Sequence, residues 1–146
     1  MAKPAIDPAP AFRRALAASS AGRLTEAERV CQQILDRQRD HFDAIFLLAG
    51  VQLKLGKMAL ALANYDRALR LRPNHVNSLC NRGNALGALN RHGEALASYE
   101  SALRLRPDDD DVLFNRGNAL HQLNRLDEAL RVTIGRWRCG RILPRR

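Results

Sequence analysis

Apolar side chains along this chain recur at helical spacing, and the stripes they form come in pairs separated by polar turns. Over 75–107 the text is HVNSLCNRGNALGALNRHGEALASYESALRLRP. Leu79, Arg82, Gly83 and Leu86 stand there at i, i+3, i+4 and i+7; beyond a turn at 90–93, Leu96, Tyr99 and Leu103 share a second stripe flanked by Ala95 and Ala102. Pro107 closes the pair, because proline has no N–H to donate and pushes its predecessor out of the helical region. The pair recurs every 34 residues: 79–96 and 113–130 are identical at 13 of 18 positions, and YDRALRLRP at 65–73 answers YESALRLRP at 99–107. The same punctuation predicts a helix over 10–21, closed by Gly22, and a second from Thr25 to about Arg37. A third is capped by Asp40 or Asp43 and runs through Leu55, a fourth spans 58–71, and Asn74 caps the next. Residues 1–7, within MAKPAIDPAP, read as a disordered lead.

Self-similarity at this period is the signature of stacked helical hairpins. The first helix of each unit carries a bulky residue early (Ile45, Leu79, Leu113) and a small one where two helices would cross (Ala15, Ala49, Gly83, Gly117). The second helix carries an early alanine (Ala27, Ala61, Ala95, Ala129), an aromatic one turn later (Tyr65, Tyr99), another small residue (Ala68, Ala102) and a closing proline (Pro73, Pro107). Helices approach closely only where side chains are small, and bulky residues fill the wedge on either side. These positions resemble the tetratricopeptide repeat family, as found in bacterial repeat proteins and in O-linked N-acetylglucosamine transferases. The resemblance implies an all-α fold, an α-solenoid of antiparallel helix pairs wound into a right-handed superhelix, with repeats over 8–130. The units are 8–41, 42–75, 76–109 and an incomplete 110–130. Gln52 departs from the pattern where a large aromatic is usual, as do Cys31 for the aromatic and Arg39 for the proline of the first unit.

No apolar run is long enough for a membrane span, and the amino terminus has no secretory apolar region. The three cysteines, Cys31, Cys80 and Cys139, are widely separated and lack metal-ligand spacing, which points to a reducing, cytoplasmic setting without disulfides or zinc. His41, His75, His92 and His121 fall at turns and helix starts, where surface or capping roles are expected. The run Asp108 to Asp111 reads as carboxylates at a helix N-terminus, which free N–H groups and the helix dipole favour. No nucleophile stands with a histidine and an acid, and no glycine-rich phosphate loop is present, so no enzyme, cofactor or metal is expected.

Repeat identity stops abruptly after Leu130: between 97–107 and 131–141 only Arg104 and Arg138 agree. A reading-frame change accounts for this. Permitted codons for 131–145, with one base restored in the codon of Arg131, translate as Ser-Tyr-Asp-Arg-Ala-Leu-Ala-Leu-Arg-Pro-Asp-Ser-Ala-Glu. That text is in phase with Ser98, Tyr99, Ala102, Leu103, Leu105, Arg106 and Pro107. The alternative is a divergent terminal helix acting as a cap. In either case 131–146 is an aberrant basic tail. It holds six arginines and no acid, so without it the net charge of +9 falls to +3. The basic character is thus a property of the tail, and with no reader motif beside it no specific nucleic-acid partner is expected. An incomplete last unit predicts weak coverage of Leu113, Leu120 and Leu123, and self-association through that face.

In stacked hairpins the first helices line a concave groove. Its outward positions here include Phe46, Leu47, Asn77, Cys80, Asn81, Asn84, Phe114, Asn115, Asn118, His121 and Gln122. A carboxamide offers two donors and an acceptor, so rows of asparagine can hold a peptide backbone. Asn81 and Asn115, one unit apart, resemble the asparagine ladder of the transferases; the alternative is that these asparagines are solvated residues copied with the repeat. The expected function is a protein-interaction module binding peptide or protein segments. The alternative is the leading fragment of a larger repeat protein whose downstream domain, a glycosyltransferase in the resemblance, is severed by the frame change. The groove lacks the paired basic residues with which some family members clamp carboxylate tails.

Overall fold

The computed structural model describes residues 7–123, together with Arg131 and Ile134. They form α1 (Pro8–Ser20), α2 (Leu24–Leu35), α3 (Phe42–Lys54), α4 (Met58–Leu71), α5 (Val76–Ala88), α6 (His92–Leu105) and α7 (Asp110–Gln122), with no strand among the described residues. Helices pack in chain order, α1 on α2, α3 on α4 and α5 on α6, and each pair stacks on the next. The odd helices also touch one another, α1 with α3, α3 with α5 and α5 with α7, whereas α2, α4 and α6 do not. The stack therefore bends around its odd helices, which form the inner rank of an α-solenoid.

The 34-residue period is written into the helix ends. Odd helices start at Asp7, His41, His75 and Asp109, whose side chains accept from the backbone N–H of Ala9, Ala44, Ser78 and Val112 at 3.1–3.2 Å. The caps of α3 and α5 are thus His41 and His75, not Asp40, Asp43 or Asn74. Imidazole Nδ1 accepts as a carboxylate oxygen does, and register outweighs the general preference for Asp and Asn. Pro8 follows Asp7 directly, where a missing N–H costs nothing, so α1 begins two residues earlier than the sequence reading placed it.

The helices α1, α3 and α5 each end on a left-handed residue, Gly22 (φ 76°), Gly56 (φ 75°) and Asn90 (φ 59°) respectively. The N–H of the next residue, Arg23, Lys57 or Arg91, returns to the carbonyl of Ala18, Gln52 or Leu86 at 2.8–2.9 Å. That bond satisfies a carbonyl the helix would otherwise leave open and turns the chain into the even helix. The even helices α2, α4 and α6 accordingly begin without a side-chain cap. Without a closing proline in its unit, α2 closes by N–H groups of Arg37 and Gln38 on the Ile34 carbonyl, and Arg67 of α4 donates to the Arg39 carbonyl.

The crossings are packed by the residues the period singles out. Ala15, Ala49, Ala61, Ala95 and Tyr65 are fully buried. At Gly83 the fit excludes even a methyl group: a Cβ there would lie 2.4 Å from Tyr99 Cε1. Leu120 is also fully buried, contrary to the expectation of weak coverage, while Leu123 is 36 % exposed. The second helix of the last unit and the rest of the tail lie outside the described residues.

Candidate functional site

The inner rank carries the residues expected to face a partner, and the structure sorts them. Phe46, Leu47, Cys80, Asn81, Asn84 and Asn115 are half-buried along α3, α5 and α7, whereas Asn77, Phe114, Asn118, His121 and Gln122 are exposed. Phe114 is 60 % exposed, although it holds on α7 the place that Phe46 holds on α3. Burial pushes the Cys80 thiol up to about 11, so it stays protonated and unreactive at neutral pH.

Asn84, Asn115 and Tyr99 form a polar network centred on one oxygen. The Tyr99 hydroxyl donates to Asn84 Oδ1 at 2.8 Å, and Asn115 Nδ2 donates to the same oxygen at 3.2 Å. One carboxamide thereby ties α5 to α6 and α7. The sequence marked Asn84 as a groove residue; its tie to Tyr99 is legible only once the two helices are seen to cross at Gly83.

In the preceding unit the matching residues are Gly50, Asn81 and Tyr65. Tyr65 is fully buried, and its hydroxyl has no hydrogen-bond partner. Burial raises that hydroxyl to about 12; Asn81, close beside it, opposes the rise without meeting it in hydrogen-bond geometry. A cleft of about 230 Å³ beside Gly50 is lined by Phe12, Leu16, Phe46, Leu47 and Val51 and by the polar Ser19, Asp43, Lys54 and Asn81. The sequence reading passed over Phe12 and Gly50 as groove residues, and Tyr65 as a buried polar group behind Gly50. The available signal was Gly50 itself, a glycine where the two later units place Asn84 and Asn118.

Aromatic packing stiffens this end of the groove. His75 meets the rings of Phe42 and Phe46 edge-on at 4.9 and 5.0 Å, Phe46 meets Tyr65 at 6.1 Å, and the Arg72 guanidinium lies 3.9 Å over Phe42. Burial, then the charge of Arg72, holds the His75 imidazole below the ordinary histidine value. Arg82 is held by Asp66 and Ser98. Away from the groove, buried Gln52 donates to Glu28 at 3.3 Å and accepts from Asn64 at 2.8 Å. Lys57 reaches Glu28 at 2.6 Å and holds its carboxyl below the usual range. The departure at Gln52 is thus a satisfied polar link between α2, α3 and α4. Among the described residues no helix is long and apolar enough to cross a membrane.

Three family models match the chain, one described as TPR repeat over 83–124 and two as tetratricopeptide repeat over 12–76 and 64–97. No curated protein matches it in sequence. Among solved structures it is similar to MamA AMB-1, with a TM-score of 0.81, 24 % identity, and 88 % of this chain and 70 % of that one covered. It is also similar to MamA MSR-1, with a TM-score of 0.82, 23 % identity, and coverage of 90 % and 76 %. A third similar structure is the first TPR of Spaghetti (RPAP3) bound to HSP90 peptide SRMEEVD. There the TM-score is 0.77, the identity 20 %, and the coverage 80 % and 93 %. At these identities the likeness is one of fold.

Proposed function

The chain belongs to the tetratricopeptide repeat family, and on that premise we propose that it is a protein-interaction module holding an extended peptide or protein segment along its odd helices. The observation that carries this is the inner rank itself. Exposed Phe114, Asn77 and Asn118 alternate there with the half-buried carboxamides of Asn81, Asn84 and Asn115, a surface that offers both apolar contact and paired donors and acceptors. Its work is binding and not catalysis, its setting the cytoplasm, and its ligand a neutral or mixed-charge segment and not a carboxylate tail.

The test is selection of binders from a displayed peptide library, followed by the double variant Asn81→Ala, Asn115→Ala. Loss of two hydrogen-bonding side chains should weaken a groove-bound peptide by about 1–3 kcal/mol, while stability changes less. Unchanged affinity for every selected peptide would remove the groove from consideration.

A second reading is that the chain is the leading part of a longer repeat protein whose frame changes after Leu130. It is favoured by one contrast: Gly83 is required by the ring of Tyr99, whereas Gly117 is kept although threonine stands at 133. Translation of the gene past codon 146 in the other frames tests it; absence of repeat text there would leave the tail as a genuine cap.

A further inference from the structure

Two successive units place a buried tyrosine hydroxyl at the same point and complete it differently. In the later one, Tyr99 is satisfied from within by Asn84, which also takes Asn115 Nδ2. Counting back 34 residues from each member gives Tyr65, Gly50 and Asn81. Glycine has no carboxamide to offer. The Tyr65 hydroxyl accordingly lies unpartnered in a side chain that is 0 % exposed. It points where a side chain on Gly50 would begin, since a Cβ built there would stand 3.7 Å from Tyr65 Oη. Gly50 lines the 230 Å³ cleft together with Phe12, Phe46, Val51 and Asn81, and the Tyr65 hydroxyl lies directly behind Gly50, outside that lining. A buried hydroxyl without a partner is rare because it gives up its bonds to water and gains none in return.

We propose that the missing carboxamide comes from the ligand: an asparagine or glutamine side chain of an extended peptide enters beside Gly50, accepts from Tyr65 Oη and pairs with Asn81. This rests on the groove-binding function proposed above and names the residue type it selects. A primary carboxamide fits where other groups do not. Its oxygen accepts from the tyrosine, its NH₂ or oxygen matches whichever end Asn81 presents, and it brings no charge against the apolar walls. A carboxylate would lose its hydration and meet Asp43 as well as Lys54 in the lining, and a hydrocarbon would leave the hydroxyl unmet.

The experiment titrates ¹⁵N-labelled full chain with three capped tripeptides, acetyl-Val-X-Val-methylamide with X as Asn, Asp or Ala, up to about 10 mM, the range where such small ligands bind. The expected result is that the Asn peptide shifts the Gly50 amide and Asn81 side-chain signals, with an affinity at least about threefold above the Ala and Asp peptides, the worth of one hydrogen bond. Gly50→Asn installs the carboxamide covalently and should abolish those shifts. Tyr65→Phe should bring the Asn peptide down to the Ala peptide. Equal affinities for Asn and Ala, or full binding to the Gly50→Asn variant, overturn the proposal. If the three peptides shift only Asn84, Asn115 and Asn118, this pocket fails and the groove reading stands; if no odd-helix signal moves with any peptide, both fail.

Discussion

The second and third helix pairs, α3–α4 and α5–α6, follow one plan and differ in how they treat polar groups inside it. Both are entered through a histidine cap, turned by a left-handed residue and crossed over a buried tyrosine. The third pair has Gly83 under its tyrosine, Leu86 in its core and Asn84 to receive the hydroxyl. The second has Ala49, Gln52 and Gly50 at those places, and so places a polar link where its neighbour is apolar and an unmet hydroxyl where its neighbour has a bond. Backbone geometry repeats because any residue meeting the dihedral or capping need will serve. Interior polar groups repeat only if every partner is copied too, so one exchanged residue opens a network.

The largest test of this contrast is at the crossing. Gly83→Ala drives a methyl group into the buried Tyr99 ring and should cost about 1–3 kcal/mol, net of any gain in helix propensity. Ala49 shows that the second pair accepts that same methyl group, so urea denaturation of Gly83→Ala with a wild-type midpoint would mean the two crossings are equivalent after all. A smaller effect, opposite in sign between the units, is expected at the tyrosines. Tyr99→Phe loses the bond to Asn84 and should cost about 0.5–1.5 kcal/mol, whereas Tyr65→Phe removes an unsatisfied hydroxyl and should be neutral or stabilising. Equal losses in thermal melts would show that Tyr65 has a partner in solution.

The smallest effect is a pH dependence. The folded state holds His75 below its ordinary value of 6.5, by burial and the nearby Arg72. In the window between the lowered and the ordinary value the unfolded chain binds more protons than the folded one, so stability falls as the pH drops through it. The cap sharpens the point, because a protonated Nδ1 can no longer accept from Ser78. A His75→Asn variant keeps a capping oxygen and should show a flatter melting temperature between about pH 7 and pH 5; parallel curves would exclude His75 as the source of the slope.

The period made the architecture legible. Ala49, Gly83, Ala61 and Ala95 lie at crossings because small residues at fixed spacing have one geometric use, and the predicted span 58–71 is that of α4. Caps were harder to read. Local rules favour Asp40 or Asn74 over a histidine, while the series Asp7, His41, His75, Asp109 becomes evident only when the chain is laid out in register. Partners remote in sequence were harder still. Gln52 could be seen as out of place, but its bonds to Glu28 and Asn64 depend on three helices meeting. In the groove, Asn81, Asn84 and Asn115 were visible as a repeated carboxamide, and what separates Asn115, which donates to Asn84, from its counterpart Asn81 is the single exchange at Gly50.

The nearest-neighbour pattern of contacts has a mechanical consequence. Among the described helices α1 meets only α2 and α3, and none of them spans from the first pair to the third to clamp the array end to end. A pulling force applied across the chain loads the hairpins in series, each held by its two flanking interfaces. Stretching should therefore peel whole units from an end in a sawtooth, each tooth releasing about 34 residues, or roughly 12 nm of contour.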